Sequence, residues 1–321
     1  MLFRSRDVEH SLDKPDGVYR IAVIGDSYSE AMQVERDKAY WALLPERLAA
    51  CGFAAGKRIE TINFGVAGYG TAQEYVVLQT SAMRYQPDLV LLQFTTGNDV
   101  RNNSFALEPE KDQPFYLLGG DGRLRIDDSF AAEPKFRRRA SFFSDAVRRT
   151  TDKSRVLQLG RFTREHSFIP TAQAAVEQGL EAAVLAPPRD RLWDEAWRVT
   201  EGLIAMTADY AKRNGARFVL VSVPYAIQAH PDRAQRERLQ ARLGVPDLLY
   251  PDRRLAALAG KGGFDAVPLA EGMLRAAHEQ GAPLYGFANT RMGFGHWNET
   301  GHRVAAELIA QGLCSSRRLR E

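Results

Sequence analysis

Short apolar runs that end at glycine or at a polar turn recur along the first hundred residues and predict buried β-strands. Segments with helical spacing separate them. In the first of these, Pro45 is expected to kink the helix or to move its start to a later residue. The predicted strands cover 19–24, 59–64 and 89–94, and the predicted helices cover 40–48 and 71–83. This alternation of strand and helix is typical of a parallel sheet with helices on both faces.

The alternation breaks down between residues 102 and 191, which we interpret as an insertion, or cap, over the functional edge of the sheet. Within it, residues 115–118 and 123–126 flank a glycine-rich turn and predict a β-hairpin. Regular spacing then returns, with helices predicted over 193–214, 232–243, 270–280 and 299–313 and strands over 217–223 and 264–268. The chain is therefore predicted to form a single α/β domain over 1–321 that carries the 102–191 insertion.

The chain of 321 residues is 45% hydrophobic and nearly neutral, with 43 basic and 40 acidic residues. That balance argues against a dedicated nucleic-acid-binding protein, which usually carries a clear excess of Lys and Arg. One segment departs from it, because residues 133–164 hold ten Lys or Arg and only three acidic residues. Such a run is commonly a solvated face. The alternative is a surface for anionic polysaccharide or phospholipid headgroups.

The first fourteen residues are strongly charged and contain no apolar stretch of the length that a signal peptide or a membrane span requires. As written, the sequence predicts a cytoplasmic protein. A periplasmic or membrane-anchored protein is expected instead if the N-terminus is incomplete. Cys51 and Cys314 lie at the ends of two predicted helices, outside any Cys-x-x-Cys or metal-ligand spacing, so they say little about the redox compartment.

Four short polar motifs supply the residue types that acyl transfer requires, and their key members are Ser27, Gly68, Asn98 and His296. A serine with a histidine as its base is a candidate nucleophile, while a backbone amide and an asparagine side chain can stabilise an oxyanion. The first three motifs follow predicted strands. Because the carboxyl ends of parallel strands line one edge of an open sheet, these motifs are predicted to converge there.

Each motif also has a plainer interpretation. A lone serine after a strand often caps the next helix, and Asn-Asp at a strand end is often a simple turn. The glycine-rich segment 65–71 lacks the Gly-x-Gly-x-x-Gly spacing and follows the second predicted strand, which argues against a dinucleotide site. It is the combination of the four motifs that favours catalysis.

In their order and residue types the four motifs resemble those of the SGNH hydrolase superfamily, the GDSL-type esterases and lipases. The resemblance covers residues 18–100 and 290–313 but not the insertion. It implies a three-layer α/β/α sandwich with a flavodoxin-like parallel sheet of about five strands.

The resemblance also implies roles for individual residues. Ser27 and His296 are the expected catalytic pair. The expected oxyanion hole consists of the amides of Ser27 and Gly68 with the side chain of Asn98. The expected supporting residues are Asp26, Asn63, Asp99 and Asn298, the last as the cap of the C-terminal helix.

The last motif departs from the family pattern at Gly293, three residues before His296, where an aspartate normally orients the histidine ring. Its neighbours Met292, Phe294 and Gly295 cannot replace that acid. Two possibilities remain open: a backbone carbonyl orients the ring in a Ser-His dyad, or an acid comes from elsewhere in the chain. The second histidine of the motif, His302, is expected to pack or to form a hydrogen bond.

The leading hypothesis is a serine ester hydrolase that acts through an acyl-enzyme on small acyl esters, including O-acetyl groups of carbohydrate. The alternatives are a polysaccharide O-acyltransferase and a non-catalytic carbohydrate-binding protein that retains the fold. No cofactor or metal is expected, because the six histidines show no convincing metal-ligand pairing. The expected partner is a small-molecule or carbohydrate ester.

Overall fold

A parallel sheet at the centre of the protein positions the candidate residues Ser27, Gly68 and Asn98. The computed structural model describes residues 6–139 and 181–320. Its strands are β1 Val18–Ile24, β2 Arg58–Asn63, β3 Leu89–Thr95, β4 Phe115–Leu118, β5 Leu124–Asp127, β6 Arg217–Val223 and β7 Asp265–Pro268. Five of them form the parallel sheet in the order β2-β1-β3-β6-β7, and β4 pairs with β5 in a separate antiparallel hairpin.

Helices cover both faces of this sheet. The described helices are α1 Ser27–Glu30, α2 Tyr40–Ala50, α3 Thr71–Thr80, α4 Asp99–Asn102, α5 Pro134–Arg139, α6 Arg191–Arg213, α7 Arg233–Leu243, α8 Tyr250–Gly262, α9 Ala270–Gln280, α10 Glu299–Ser315 and α11 Arg317–Arg320. Short 3₁₀ turns occur at Arg36–Lys38, Ala82–Tyr85, Ser129–Ala132 and Glu181–Leu185.

The side chains of the central strands alternate between two hydrophobic cores. Along β3, Leu89 and Leu91 pack into a core with helices α2, α9 and α10, whereas Val90 and Leu92 pack into a core with α3, α6 and α8. All seven residues of β1 and of β3 are buried, as expected for strands covered on both faces. The predicted three-layer α/β/α fold with a five-stranded parallel sheet is therefore confirmed.

The chain reverses its direction of travel across the sheet between β1 and β3. It runs from β1 outward to β2, and then returns to the other side of β1 to continue through β3, β6 and β7. In doubly wound sheets of this order, ligands bind at the carboxyl edge of that switch point. Ser27 follows β1 and Asn98 follows β3, so both lie at this edge.

The predicted elements lie within a few residues of their observed bounds, and the prediction lacks one long helix, α8, besides the short helices α1, α4, α5 and α11. Helix α8 is absent from the sequence-based prediction, since Pro251 and the glycines at 260 and 262 disfavour a helix interior. Proline is tolerated in the first turn, and the buried Leu255 and Ala259 hold the helix against the core. Pro45 lies inside α2, but the helix still begins at Tyr40.

Cys51 and Cys314 form a disulfide that joins the C-terminal ends of α2 and α10. Their Cα atoms are 6.3 Å apart, although 263 residues separate them along the chain. The two helices pack against each other over the same sheet face. No sequence spacing indicates this pairing, because it depends on the packing of distant segments.

Two further predictions concern segments that the structure covers only in part. Most of the basic segment 133–164 lies outside the described residues, so its role as an anionic-surface contact stays a prediction. The interpretation of 102–191 as one insertion also stays a prediction, although the hairpin predicted within it is present as β4 and β5. None of the helices in the described ranges is both long enough and apolar enough to cross a membrane.

Candidate active site

The turn after β1 presents Ser27 at the carboxyl edge of the sheet. Asp26 caps the one-turn helix α1, and its carboxylate accepts a hydrogen bond from Tyr28 N at 3.0 Å. Ser27 is the first residue of that turn and is half-buried, whereas Asp26 is fully buried. The strand end thus holds the backbone rigidly and leaves the Ser27 hydroxyl accessible.

His296 lies beside that hydroxyl, and its Nε2 atom is 2.7 Å from Ser27 Oγ. The two residues are 269 positions apart in the chain. A contact of this length lets the imidazole accept the serine proton, which is the first requirement for a serine nucleophile.

Backbone hydrogen bonds fix the loop that carries His296. Gly286 N donates to His296 O at 2.9 Å, and Asn298 N donates to Leu284 O at 3.0 Å. An antiparallel bridge joins Tyr285 to the buried Trp297. The position of His296 therefore rests on main-chain contacts between the two ends of its own loop.

The α10 helix begins directly after this loop, with Asn298 as its cap, as predicted. The Asn298 side chain accepts from Gly301 N at 2.9 Å and donates to Pro283 O at 3.0 Å. The Asn298 side chain therefore fixes the start of α10 and also binds the opposite end of the loop at Pro283.

Tyr28 is a site residue that sequence reasoning missed. Its hydroxyl donates to Gly295 O at 3.0 Å, and its ring lies 4.9 Å from the His296 ring at an interplanar angle of 37°. It also packs edge-on against Trp297 at 4.9 Å. A large aromatic residue directly after the candidate nucleophile is the signal that could have drawn attention to it.

The three residues expected to form an oxyanion hole are Ser27, Gly68 and Asn98, and each retains a hydrogen-bond donor that no described acceptor uses. Within the described ranges, the amides of Ser27 and Gly68 donate to no protein acceptor. Gly68 is exposed and has a φ of +81°, a conformation that favours glycine. Asn98 donates one N–H to Asp26 Oδ2 at 3.1 Å, and its second amide hydrogen is available for a ligand.

Asn63 connects the glycine-rich turn to the serine turn. Its side-chain nitrogen donates to Ser29 O at 2.9 Å, while its side-chain oxygen accepts from Gly65 N at 2.9 Å. Asn63 is fully buried. The supporting role expected of it thus corresponds to a link between the turns that carry Gly68 and Ser27.

Three buried carboxyl groups lie beneath these turns. Asp26 and Asp99 were expected from the sequence, whereas Glu74, in the first turn of α3, was not. Asp99 accepts from Thr95 N at 2.7 Å. Burial, followed by the charges of Asp99 and Asp26, holds the pKa of Glu74 well above its usual range. Burial and the Asp26 charge raise the pKa of Asp99 in the same way.

At position 293, where the family pattern has an acid, the space is occupied by another residue. Gly293 has a φ of +84°, and a Cβ atom added there would collide with the ring of His230. His230 Nδ1 accepts from Asp232 N at 3.1 Å. Burial lowers the pKa of His230, as do the neighbouring charges of Arg236 and Arg291, while Asp232 opposes them. An aspartate at 293 would require His230 to move.

His302 has the packing and hydrogen-bonding role expected of it. Its Nδ1 atom accepts from Tyr40 N at 3.3 Å, and its ring stacks on that of Tyr40 with centroids 6.2 Å apart. Burial is the main reason that its pKa falls to about 3, with smaller contributions from the His296 and Arg6 charges. His302 therefore stays neutral in the core.

Comparison with known proteins gives similarity to solved structures alone. No family model and no curated protein matches the chain. An acetyl xylan esterase is 14% identical, with 91% of this chain and 98% of that chain covered and a TM-score of 0.46. A putative lipolytic protein of the G-D-S-L family from Desulfitobacterium hafniense is 11% identical, with 91% and 98% covered and a TM-score of 0.42.

A catalytic mutant of an acetylxylan esterase from Geobacillus stearothermophilus is 12% identical, with 94% of this chain and 97% of that chain covered and a TM-score of 0.46. Since all three identities lie below 25% and all three TM-scores below 0.5, the functional assignment depends on the geometry of the site.

Proposed function

We propose that this protein is a serine ester hydrolase that acts through an acyl-enzyme on small acyl esters, with O-acetyl groups of carbohydrate as the candidate substrates. The observation that carries the proposal is the 2.7 Å contact between Ser27 Oγ and His296 Nε2 at the carboxyl edge of the sheet. Two amides that have no partner among the described residues belong to Ser27 itself and to Gly68, in the turn that follows β2.

The proposed reaction begins when Ser27 Oγ attacks the ester carbonyl carbon and His296 Nε2 takes its proton. The carbonyl oxygen becomes an oxyanion that accepts from Ser27 N, Gly68 N and Asn98 Nδ2. The C–O bond to the alcohol then breaks, and the imidazolium returns the proton to the leaving alkoxide. Water attacks the acyl-serine with the same assistance, releasing the carboxylic acid and restoring Ser27.

Tyr28 and the loop backbone contribute to the orientation of the His296 ring, for which the family pattern has an acid at position 293. The Tyr28 ring restricts rotation of the imidazole from one side, and its hydroxyl holds the carbonyl of the preceding residue, Gly295. Because the imidazole must be held in one orientation before it can take the proton, these contacts favour a working base.

The test is hydrolysis of short-chain p-nitrophenyl esters together with labelling by a fluorophosphonate probe. We expect the wild-type protein to hydrolyse p-nitrophenyl acetate and to be labelled at Ser27, as located by peptide mass spectrometry. Ser27→Ala should abolish both, while Ser129→Ala, at an exposed position in the described chain, should leave both intact. Equal activity of Ser27→Ala and wild type would refute the proposal.

The same assay separates the alternatives. A transferase forms the same acyl-enzyme but passes the acyl group to a sugar hydroxyl, so product analysis with an oligosaccharide acceptor distinguishes it. Free acetate alone supports the hydrolase, and acylated acceptor supports transfer. A non-catalytic protein would give neither product, and Ser27 would not be labelled.

A further inference from the structure

Each turn that carries a proposed oxyanion donor adjoins a fully buried carboxyl group. Asp26 precedes Ser27, Asp99 follows Asn98, and Glu74 lies in the first turn of α3, just after the glycine-rich turn. All three are at most 1% exposed. Asp26 holds Asn98 by a hydrogen bond, but the proposed reaction gives Glu74 no role.

The hydrogen bonds of these carboxyl groups are unequal. Both oxygens of Asp26 accept, from Tyr28 N and from Asn98 Nδ2. Asp99 uses Oδ2 to accept from Thr95 N, but its Oδ1 has no partner among the described residues. Neither oxygen of Glu74 has a partner there. Buried polar atoms of this kind are uncommon and call for an explanation.

The charges that act on Glu74 are themselves negative. In the described ranges, the charges that act on it belong to Asp99 on α4 and Asp26 at the end of β1, and Glu74 in turn raises the pKa of the Tyr40 phenol on α2. No described set of three or more His, Cys, Asp or Glu side chains is arranged to hold a metal ion. Since several buried, unpaired negative charges are very costly, a proton is the simplest way to neutralise one of them.

We propose that Glu74 is a positioning residue, which keeps its proton and donates it to Asp99 Oδ1 so that the turns carrying Gly68 and Asn98 are tied together. The catalytic consequence rests on the proposed function. A neutral carboxylic acid has one O–H donor, and Asp99 Oδ1 is a buried acceptor without another partner. One hydrogen bond therefore satisfies an atom of each residue.

Loss of this proton changes the oxyanion hole in two ways. It removes the link between the two turns, and it adds a negative charge behind donors that must stabilise a negative oxygen. The rate of acylation should therefore fall at alkaline pH as the pair ionises. Replacing Glu74 by Gln keeps a neutral donor, while replacing it by Leu removes the donor without adding charge.

The first measurement detects the proton without reference to catalysis. Infrared spectra at about pH 8 should contain a carbonyl band of a neutral carboxylic acid, since an ordinary Glu or Asp is ionised there. Asp252, whose pKa burial raises to about 6, is also ionised at this pH. The band should disappear in Glu74→Gln and persist in Glu279→Gln, an exposed control. A wild-type spectrum without the band would overturn the proposal.

The second measurement is the rate of fluorophosphonate labelling of Ser27 across the pH range. Glu74→Gln should label within a few-fold of wild type at neutral pH and lose the alkaline decline. Glu74→Leu should label at least about tenfold more slowly, because donor geometry governs the rate. Equal rates for the two variants, or an unchanged alkaline decline in Glu74→Gln, would refute the positioning role.

The outcomes separate the two proposals. If the infrared band is present and the variants label like wild type, the proton exists but does not position the donors, and the proposed hydrolase stands. If wild-type Ser27 is never labelled, the hydrolase proposal and the positioning role fail together, while the band still reports the proton. Should Glu74→Leu fail to fold, the pH profile of Glu74→Gln decides.

Discussion

The two sides of the candidate site are built in different ways. Ser27, Gly68 and Asn98 follow consecutive strands of the sheet, and buried Asp26, Asn63 and Asp99 hold their turns. His296 comes from a loop between α9 and α10, held by main-chain bonds and by the Tyr28 ring. The serine side therefore depends on the sheet, whereas the histidine side depends on contacts between distant segments.

This difference indicates which side of the site is easier to perturb. Residues at strand ends inherit their positions from the parallel hydrogen bonding of the whole sheet. The histidine loop has no ladder of this kind in the described ranges, where a single bridge between Tyr285 and Trp297, a few backbone bonds and the side chains of Tyr28 and Asn298 contact it. We therefore expect substitutions on the serine side to lower the rate by removing a reacting or stabilising group. Substitutions around His296 are expected to lower it by displacing the imidazole.

The largest expected effect comes from His296→Ala. Without the imidazole, no group accepts the Ser27 proton at the 2.7 Å contact, and loss of such a base lowers kcat by about 10⁴ to 10⁶-fold. Hydrolysis of p-nitrophenyl acetate should fall accordingly, with little change in thermal unfolding. His278→Ala, an exposed histidine on α9, is the matched control and should retain full activity.

The second-largest expected effect comes from Asn98, on the serine side of the site. Asn98→Ala removes one oxyanion donor and should lower kcat by about 10² to 10³-fold with a smaller change in KM. It also deprives Asp26 Oδ2 of its hydrogen bond, so the control is Asp26→Asn, which alters that same bond but leaves the Asn98 amide in place. A much larger fall in Asn98→Ala than in Asp26→Asn supports the donor role, and wild-type kcat in Asn98→Ala would contradict it.

The positions of Ser27 and Asn98 at strand ends could be predicted because that information is local, whereas their roles stay a prediction. Strand, glycine turn and polar residue follow one another within a few positions, as at β1 and Ser27 or at β3 and Asn98. The rules that relate them, parallel strands and a shared carboxyl edge, need no knowledge of distant packing. The same locality allowed strand β6 and helix α9 to be predicted with their observed bounds.

What the sequence missed depends on contacts across the chain. Tyr28 is recognisable as a support of His296 only when the loop 267 positions away is placed beside it. Glu74 reads as an ordinary helix residue until α3 packs over Asp99 and Asp26 and buries its carboxyl group. The Cys51–Cys314 bond has the same cause, since it needs α2 and α10 to be neighbours.

A moderate effect is expected from Tyr28 on the histidine side. Tyr28→Phe loses the hydroxyl bond to Gly295 O but keeps the ring against His296, so a loss of a few-fold in kcat is expected. Tyr28→Leu loses both and should lose about tenfold or more, because small displacements of a catalytic group are costly. Tyr210→Phe, on α6, serves as the control for removing a tyrosine hydroxyl.

The pH profile distinguishes a positional effect from general destabilisation. If Tyr28 orients the imidazole, the apparent pKa that limits kcat/KM should move in Tyr28→Leu, while the free energy of unfolding changes far less than the rate. Equal activity of Tyr28→Leu and wild type would mean that His296 keeps its position without the Tyr28 ring. That result would remove the contrast between the two sides of the site.

The smallest effect on activity is expected from the disulfide, although its effect on stability is large. Cys51 and Cys314 lie at the far ends of α2 and α10, and α10 begins at the Asn298 cap beside His296. Replacing both by Ser should lower the free energy of unfolding by about 2–5 kcal/mol, as measured by urea denaturation. Reduction of the wild type should reproduce that loss, and the double variant should be insensitive to reductant.

Since β1, β2 and β3 position the serine side, Ser27 labelling should persist in the double variant. A parallel loss of labelling below the unfolding transition would mean that the α10 helix, and not its loop contacts, holds His296.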